Sequence, residues 1–221
     1  MVFEFFRSNK PSGLDGVQGT IVQMLHDGHD VFITATNALF GGGKSKATKN
    51  EVRSTDREIN DAQREVRRSL LVMASVSPTD LPSVLQYASV VKDAERVGDY
   101  SKNLYDLVRY GANFEEAPDS DALDSYRGAV AQLILDAADV FAATDAEAAQ
   151  ALIGKADEFL SEYDDRIKDA YKSEGPAADA VARALYYRYL KRITAHVMNL
   201  LTALVQPLDR LDYYDEAPED R

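Results

Sequence analysis

The chain reads as all-α: six helices in two tandem groups of three, with an internal repeat. Three observations predict this. Apolar residues recur at the three-and-four spacing of an amphipathic helix in six segments, and runs of alternating β-branched residues are missing. Glycine and proline breakers separate the segments. The two groups of three also share residues, polar ones included, at matching positions.

The first helix is drawn by Val17, Ile21, Met24, Leu25, Gly28, Val31, Phe32, Ala35 and Leu39, and GGGKS ends it. Val52, Ile59, Ala62, Val66, Leu70 and Met73 make the face of the second. SPTDLPS breaks the pattern: Pro78 ends one helix, Thr79 or Asp80 can cap the next, and Pro82 fits its first turn. The third helix shows Val84, Leu85, Ala88, Val91, Ala94, Val97, Gly98, Leu104, Tyr105 and Val108. NFEEAPDSDA, 113–122, is polar, carries a proline and reads as a hinge or linker. Helical spacing restarts over 123–143, breaks near Thr144 and Asp145, runs over 146–172, breaks at SEGPA and runs over 178–208. The tail DYYDEAPEDR reads as frayed. The expected units are therefore 1–115 and 116–221.

VQGTIVQMLHDGHDVF (17–32) lies over YRGAVAQLILDAADVF (126–141) without a gap. Gly19, Gln23, Asp27 and Asp30 meet Gly128, Gln132, Asp136 and Asp139. AERVGDYSKNL (94–104) lies over LKRITAHVMNL (190–200), matching Arg96 to Arg192 and Asn103 to Asn199. Shared apolar spacing is common to any two amphipathic helices. The repeated Gln, Asp, Arg and Asn need a separate reason.

Composition narrows the function classes. There is no cysteine, which excludes disulfides, thiol nucleophiles and cysteine zinc sites. A net charge of −12 repels nucleic acid and anionic lipid and suits cations or a basic partner surface. The opening MVFEFFRSNKPSG has an acid inside its apolar run and no cleavage pattern, so it does not read as a signal peptide. The uncharged run from Ile193 to Leu208 holds His196, Asn199, Gln206 and Pro207, and is too short and too polar to span a bilayer. The expectation is a cytoplasmic protein.

ALFGGGKS (38–45) fits a relaxed phosphate-loop pattern, but that mechanism needs a strand before the loop, and here a helix precedes it. A glycine-rich helix terminator is the better reading. His26 and His29 could form an i, i+3 metal pair. The repeat puts Leu135 and Ala138 there and keeps both aspartates, so the histidines look incidental.

KDAERVGDY (92–100) poses the main question. Glu95, Asp99 and Asn103 fall on one stripe, and like charges at i, i+4 cost a few tenths of a kcal/mol on an exposed helix, about 0.2–0.5. The second helix adds Asp56, Glu58, Asp61 and Glu65. If the two helices pack antiparallel, Asp61 comes level with Glu95 and Asp99, and the converging oxygens could hold iron, manganese, magnesium or zinc. The other reading is a solvated acidic face beside Lys92 and Arg96.

DAERVGD followed by Asn103 resembles the signature of the PhoU family, which reads Leu-Glu-Arg-Ile-Gly-Asp with an Asn four residues on. SPTDLPSVLQYASVV resembles the approach to that signature, REINDAQREV its acidic companion helix, and LKRITAHVMNLL its repeat copy. The resemblance spans about residues 14–208. It implies two tandem three-helix bundles related by a pseudo-twofold internal repeat. It implies a non-enzymatic regulator of phosphate uptake acting on the ATPase subunit of a phosphate transporter or on a sensor histidine kinase. It further implies a homodimer and carboxylate stripes that can hold iron, zinc or another divalent or trivalent metal. One departure matters: Lys191 and Ala195 stand at the Glu and Asp positions of the second copy, where only Glu162 and Asp157 keep carboxylates. The expectation is at most one metal centre, through Glu95 and Asp99 with Asp61. A metal-free adaptor of the same fold is the alternative. A carboxylate-bridged iron oxidase would need Glu-x-x-His pairs that this chain lacks.

Overall fold

The computed structural model describes residues 13–42, 44–76 and 81–211. Six long helices carry the architecture: α1 (Leu14–Asn37), α2 (Lys46–Val76), α3 (Leu81–Arg109), α4 (Ser120–Ala143), α5 (Ala146–Tyr171) and α6 (Ala177–Val205). A short turn of 3-10 helix, Leu208–Arg210, follows. No strand occurs among the described residues. The caps expected at Thr79 and Asp80, the opening segment to residue 12 and the tail after Leu211 lie outside them.

The breaks fall where local chemistry places them. At the end of α1 the backbone leaves helical geometry at Phe40, and Gly41 takes φ 98°, a left-handed value that costs glycine no Cβ clash. Ser45 then caps α2, its Oγ accepting from the Thr48 N–H at 2.9 Å. Lys44 donates to the Arg109 carbonyl at 3.1 Å, placing a cation at the C-terminus of α3. GGGKS is thus a terminator that ties two helix ends together. Asp145 caps α5 by accepting from the Ala148 N–H at 3.0 Å.

Helices α1, α2 and α3 pack on one another, as do α4, α5 and α6, and α3 against α6 and α1 against α4 join the halves. Gln86 reaches the Ala203 carbonyl near one end of the α3–α6 contact, and Asp93 meets His196 further along, so α3 and α6 run antiparallel. One buried core runs through both halves, with Phe32, Leu104, Ile134 and Phe141 among its fully buried side chains. Each such side chain contributes about 1.5–3 kcal/mol. Gly28 lets α1 close on α3: a Cβ there would stand 2.9 Å from Val97 Cγ1. Leu85, placed on the core face by spacing, is instead 48% exposed.

The repeated glutamine and the aspartate four residues after it now have a reason. Gln23 donates to Asp27 at 2.8 Å, and Gln132 donates to Asp136 at 2.7 Å, the same i, i+4 pair on the exposed side of α1 and of α4.

The connection between the halves is not a hinge. Phe114 is buried, its N–H donates to the Leu39 carbonyl at 2.7 Å, and its ring packs edge-on against Phe40 and Tyr186. The polar residues around it hid an aromatic anchor. Helix α4 also starts earlier than the spacing indicated, at Ser120, because Ser120–Ala122 form its solvent-facing first turn.

Candidate functional site

On α2 the buried stripe is Val52, Ile59, Gln63, Val66 and Leu70. Asp56 sits four residues after Val52 and three before Ile59, on the edge of that stripe, and its side chain is 16% exposed. Asp61 is two residues past Ile59, about 200° round the helix. It is 62% exposed and accepts from Arg64 at 2.7 Å. Of the two acids it is Asp56, and not Asp61, that the structure brings to the carboxylates of α3.

On α3, Asp99 accepts from Arg96 at 2.9 Å and from Lys102 at 3.0 Å. Lys102 also donates to Asp56 at 2.7 Å, so one ammonium spans α2 and α3. Burial opposes the charge on Lys102, but its hydrogen bonds to Asp56 and Asp99 outweigh that and raise its pKa. Glu95 lies deeper, at 12% exposure, with Arg96 Nε 3.8 Å away. Burial pushes the Glu95 carboxyl up, Asp99 pushes it further, and Arg96, Lys102 and Arg67 offset part of this.

A carboxyl with a raised folded pKa stabilises the fold as pH falls through that value and penalises it above. Glu95→Gln is therefore expected to raise stability at neutral pH by up to about 1 kcal/mol, with the gain fading toward about pH 4. Thermal unfolding of both chains across that range checks it, and a loss at neutral pH would contradict it.

As a metal shell the donor set fits poorly. The two carboxylates that approach each other share a lysine ammonium, and a guanidinium covers Asp99 from its own helix. Among the described residues no three acidic or histidine side chains converge as ligands. On α1, His29 meets only its neighbour Asp30, 3.1 Å away and 78% exposed. In the second repeat Lys191 donates to Asp164 on α5 at 2.6 Å, while Glu162 faces solvent.

A second polar centre escaped the sequence reading. Asp93 and His196 are both buried, and His196 Nδ1 lies 2.8 Å from Asp93 Oδ1. Arg192 reaches His196 Nε2 at 3.2 Å and the Tyr100 hydroxyl at 3.2 Å. A guanidinium only donates, so Nε2 accepts and the imidazole proton sits on Nδ1, toward Asp93. Tyr100 stacks on His196 with ring centroids 5.6 Å apart. Tyr100 and His196 are matching positions of the two repeats, as are Arg96 and Arg192, so this cluster lies where the repeats face each other. The signal was present: Asp93 follows Val90 by three and precedes Val97 by four, which puts a charge on the apolar stripe.

Comparison with known proteins places these features. Residues 21–108 match the family model described as the PhoU domain. The fold is similar to that of PhoU from Pseudomonas aeruginosa, with a TM-score of 0.74 and 22% identity over 89% of this chain and 97% of that one. It is also similar to the phosphate transport system regulatory protein PhoU from Streptococcus pneumoniae, with a TM-score of 0.75 and 18% identity over 87% and 93% of the two chains. Nothing matches among curated protein sequences. The matched domain holds the helices α2 and α3 that carry Asp56, Glu95, Asp99 and Lys102, so residues 21–108 are similar to a PhoU domain and the chain as a whole shares the fold of the two solved PhoU structures.

Proposed function

We propose that the protein is a non-enzymatic regulator of phosphate uptake and phosphate-responsive signalling, acting by contact with a phosphate transporter's ATPase subunit or a sensor histidine kinase. The observation that carries this is the PhoU domain over residues 21–108, set in a bundle with the fold of a phosphate transport system regulatory protein. Long exposed helix faces joined by one rigid core suit recognition by a partner surface. The net charge of −12 favours a partner with a basic face. The site of action is the cytoplasm, where both candidate partners present their soluble parts, and the working unit is a homodimer. No described helix is long and apolar enough to cross a membrane.

Deleting the gene is expected to leave phosphate uptake and a phosphate-responsive reporter high in phosphate-replete cells, with both restored by the intact chain. Uptake and reporter unchanged by the deletion at both low and high phosphate would refute the role. A second reading, a metal-free adaptor of the same fold, is favoured by one observation: Lys102 already holds Asp56 and Asp99. The reading with a cation at Glu95 and Asp99 would require that contact to open.

A further inference from the structure

We infer that Lys102 and Lys191 are built-in cations that do in this chain what a bound metal ion would do on a carboxylate stripe: each pins the outer helix of its repeat to the inner one. The inference concerns the fold's own electrostatics and holds whichever partner the protein has.

In the first repeat, Asp56 on α2 and Asp99 on α3 are both hydrogen-bonded to the Lys102 ammonium, at 2.7 and 3.0 Å. The side chains involved are largely covered, with Asp56 at 16% and Asp99 at 25% exposure, so the pairs are screened less than surface ones. Without the ammonium, two aspartates and Glu95 would stand together with only Arg96 and more distant cations near them. In the second repeat the joining lysine comes from another position. Lys191, at the place of Glu95, donates to Asp164 on α5 at 2.6 Å. Two lysines at unmatched positions of the repeat thus reach one outcome: an ammonium bonded to a carboxylate across the helix pairs α2–α3 and α5–α6. A divalent ion entering the first stripe would have to displace Lys102 from both aspartates and settle beside a guanidinium. Like-charge contact of that kind works against entry.

The test uses the full chain freed of metal with a chelator, then titrated with Mn²⁺ by calorimetry and followed by thermal unfolding. The wild-type chain is expected to show no saturable one-to-one Mn²⁺ binding and the same melting temperature with chelator or Mn²⁺. Lys102→Met keeps the stem and removes the charge. It is expected to melt lower, to bind Mn²⁺ at least about tenfold tighter than wild type, and to regain melting temperature with the ion. A variant that folds only when Mn²⁺ is present supports the inference equally. Lys102→Arg keeps the charge and is expected to behave as wild type. The inference is overturned if wild type binds one Mn²⁺ and Asp99→Asn weakens that binding. It is also overturned if Lys102→Met melts as wild type does and ignores the ion.

Discussion

His196→Ala is expected to lower stability by about 3–5 kcal/mol, because it leaves the buried Asp93 carboxylate without its partner. For a chain of this length that corresponds to a fall in melting temperature of roughly ten degrees or more. The substitution also removes the ring that Tyr100 stacks on and the Arg192 Nη2 contact to the imidazole. Asp93→Leu alone leaves the imidazole Nδ1–H unpaired, a loss of about 1–3 kcal/mol. Combining Asp93→Leu with His196→Leu replaces both partners by apolar groups, and the double variant is expected to recover most of the loss. A double-mutant cycle by denaturant unfolding measures this coupling. Additive single losses would show that the pair does not act as a unit. Because α3 and α6 join the halves, weakening this contact is also expected to loosen one repeat against the other.

Phe114→Ala is expected to cost about 3–5 kcal/mol, the usual range for removing a buried phenyl ring. The ring sits in an aromatic cluster with Phe40 and Tyr186, and Arg127 covers the outer face of Phe40 at 4.9 Å from its centroid. The Phe114 N–H bond to Leu39 ties the connection to the end of α1, so the effect is not confined to the loop. Limited proteolysis supplies a readout that global stability does not: the variant is expected to be cut within 110–119 faster than wild type. Unchanged cleavage would mean that the backbone bonds alone hold the connection.

Lys102 adds a pH dependence of opposite sign to that of Glu95. A lysine with a raised folded pKa stabilises fully below its unfolded value and loses that contribution as pH rises through the folded one. The wild-type chain therefore loses this stability in the alkaline range above about pH 10, and Lys102→Met lacks it throughout.

Much of this was legible in the residues. Periodicity and breakers located all six helices, because a helix that must bury one face writes that face into its own sequence. The repeat was legible too, and the Gln23–Asp27 and Gln132–Asp136 pairs explain one part of its polar pattern through contacts a single turn long. The carboxylate stripe on α3 was read as a stripe, and Glu95 and Asp99 do lie together. Its partner on α2 was misplaced. Asp61 had the right height but the wrong azimuth, and the packing stripe of α2 turns Asp56 inward instead. Between the halves, composition pointed to a hinge or linker, and one aromatic residue among polar neighbours makes it an anchored linker.

The sequence by itself determined the helices, their order and their duplication, because those follow from interactions between residues one to four apart. Tertiary structure alone decided the partners across helices. Lys102 meets Asp56 over 46 residues and His196 meets Asp93 over 103. Such meetings depend on how far each helix is rotated and slid against its neighbour, and that register is set by the whole core packing at once, which no local spacing encodes.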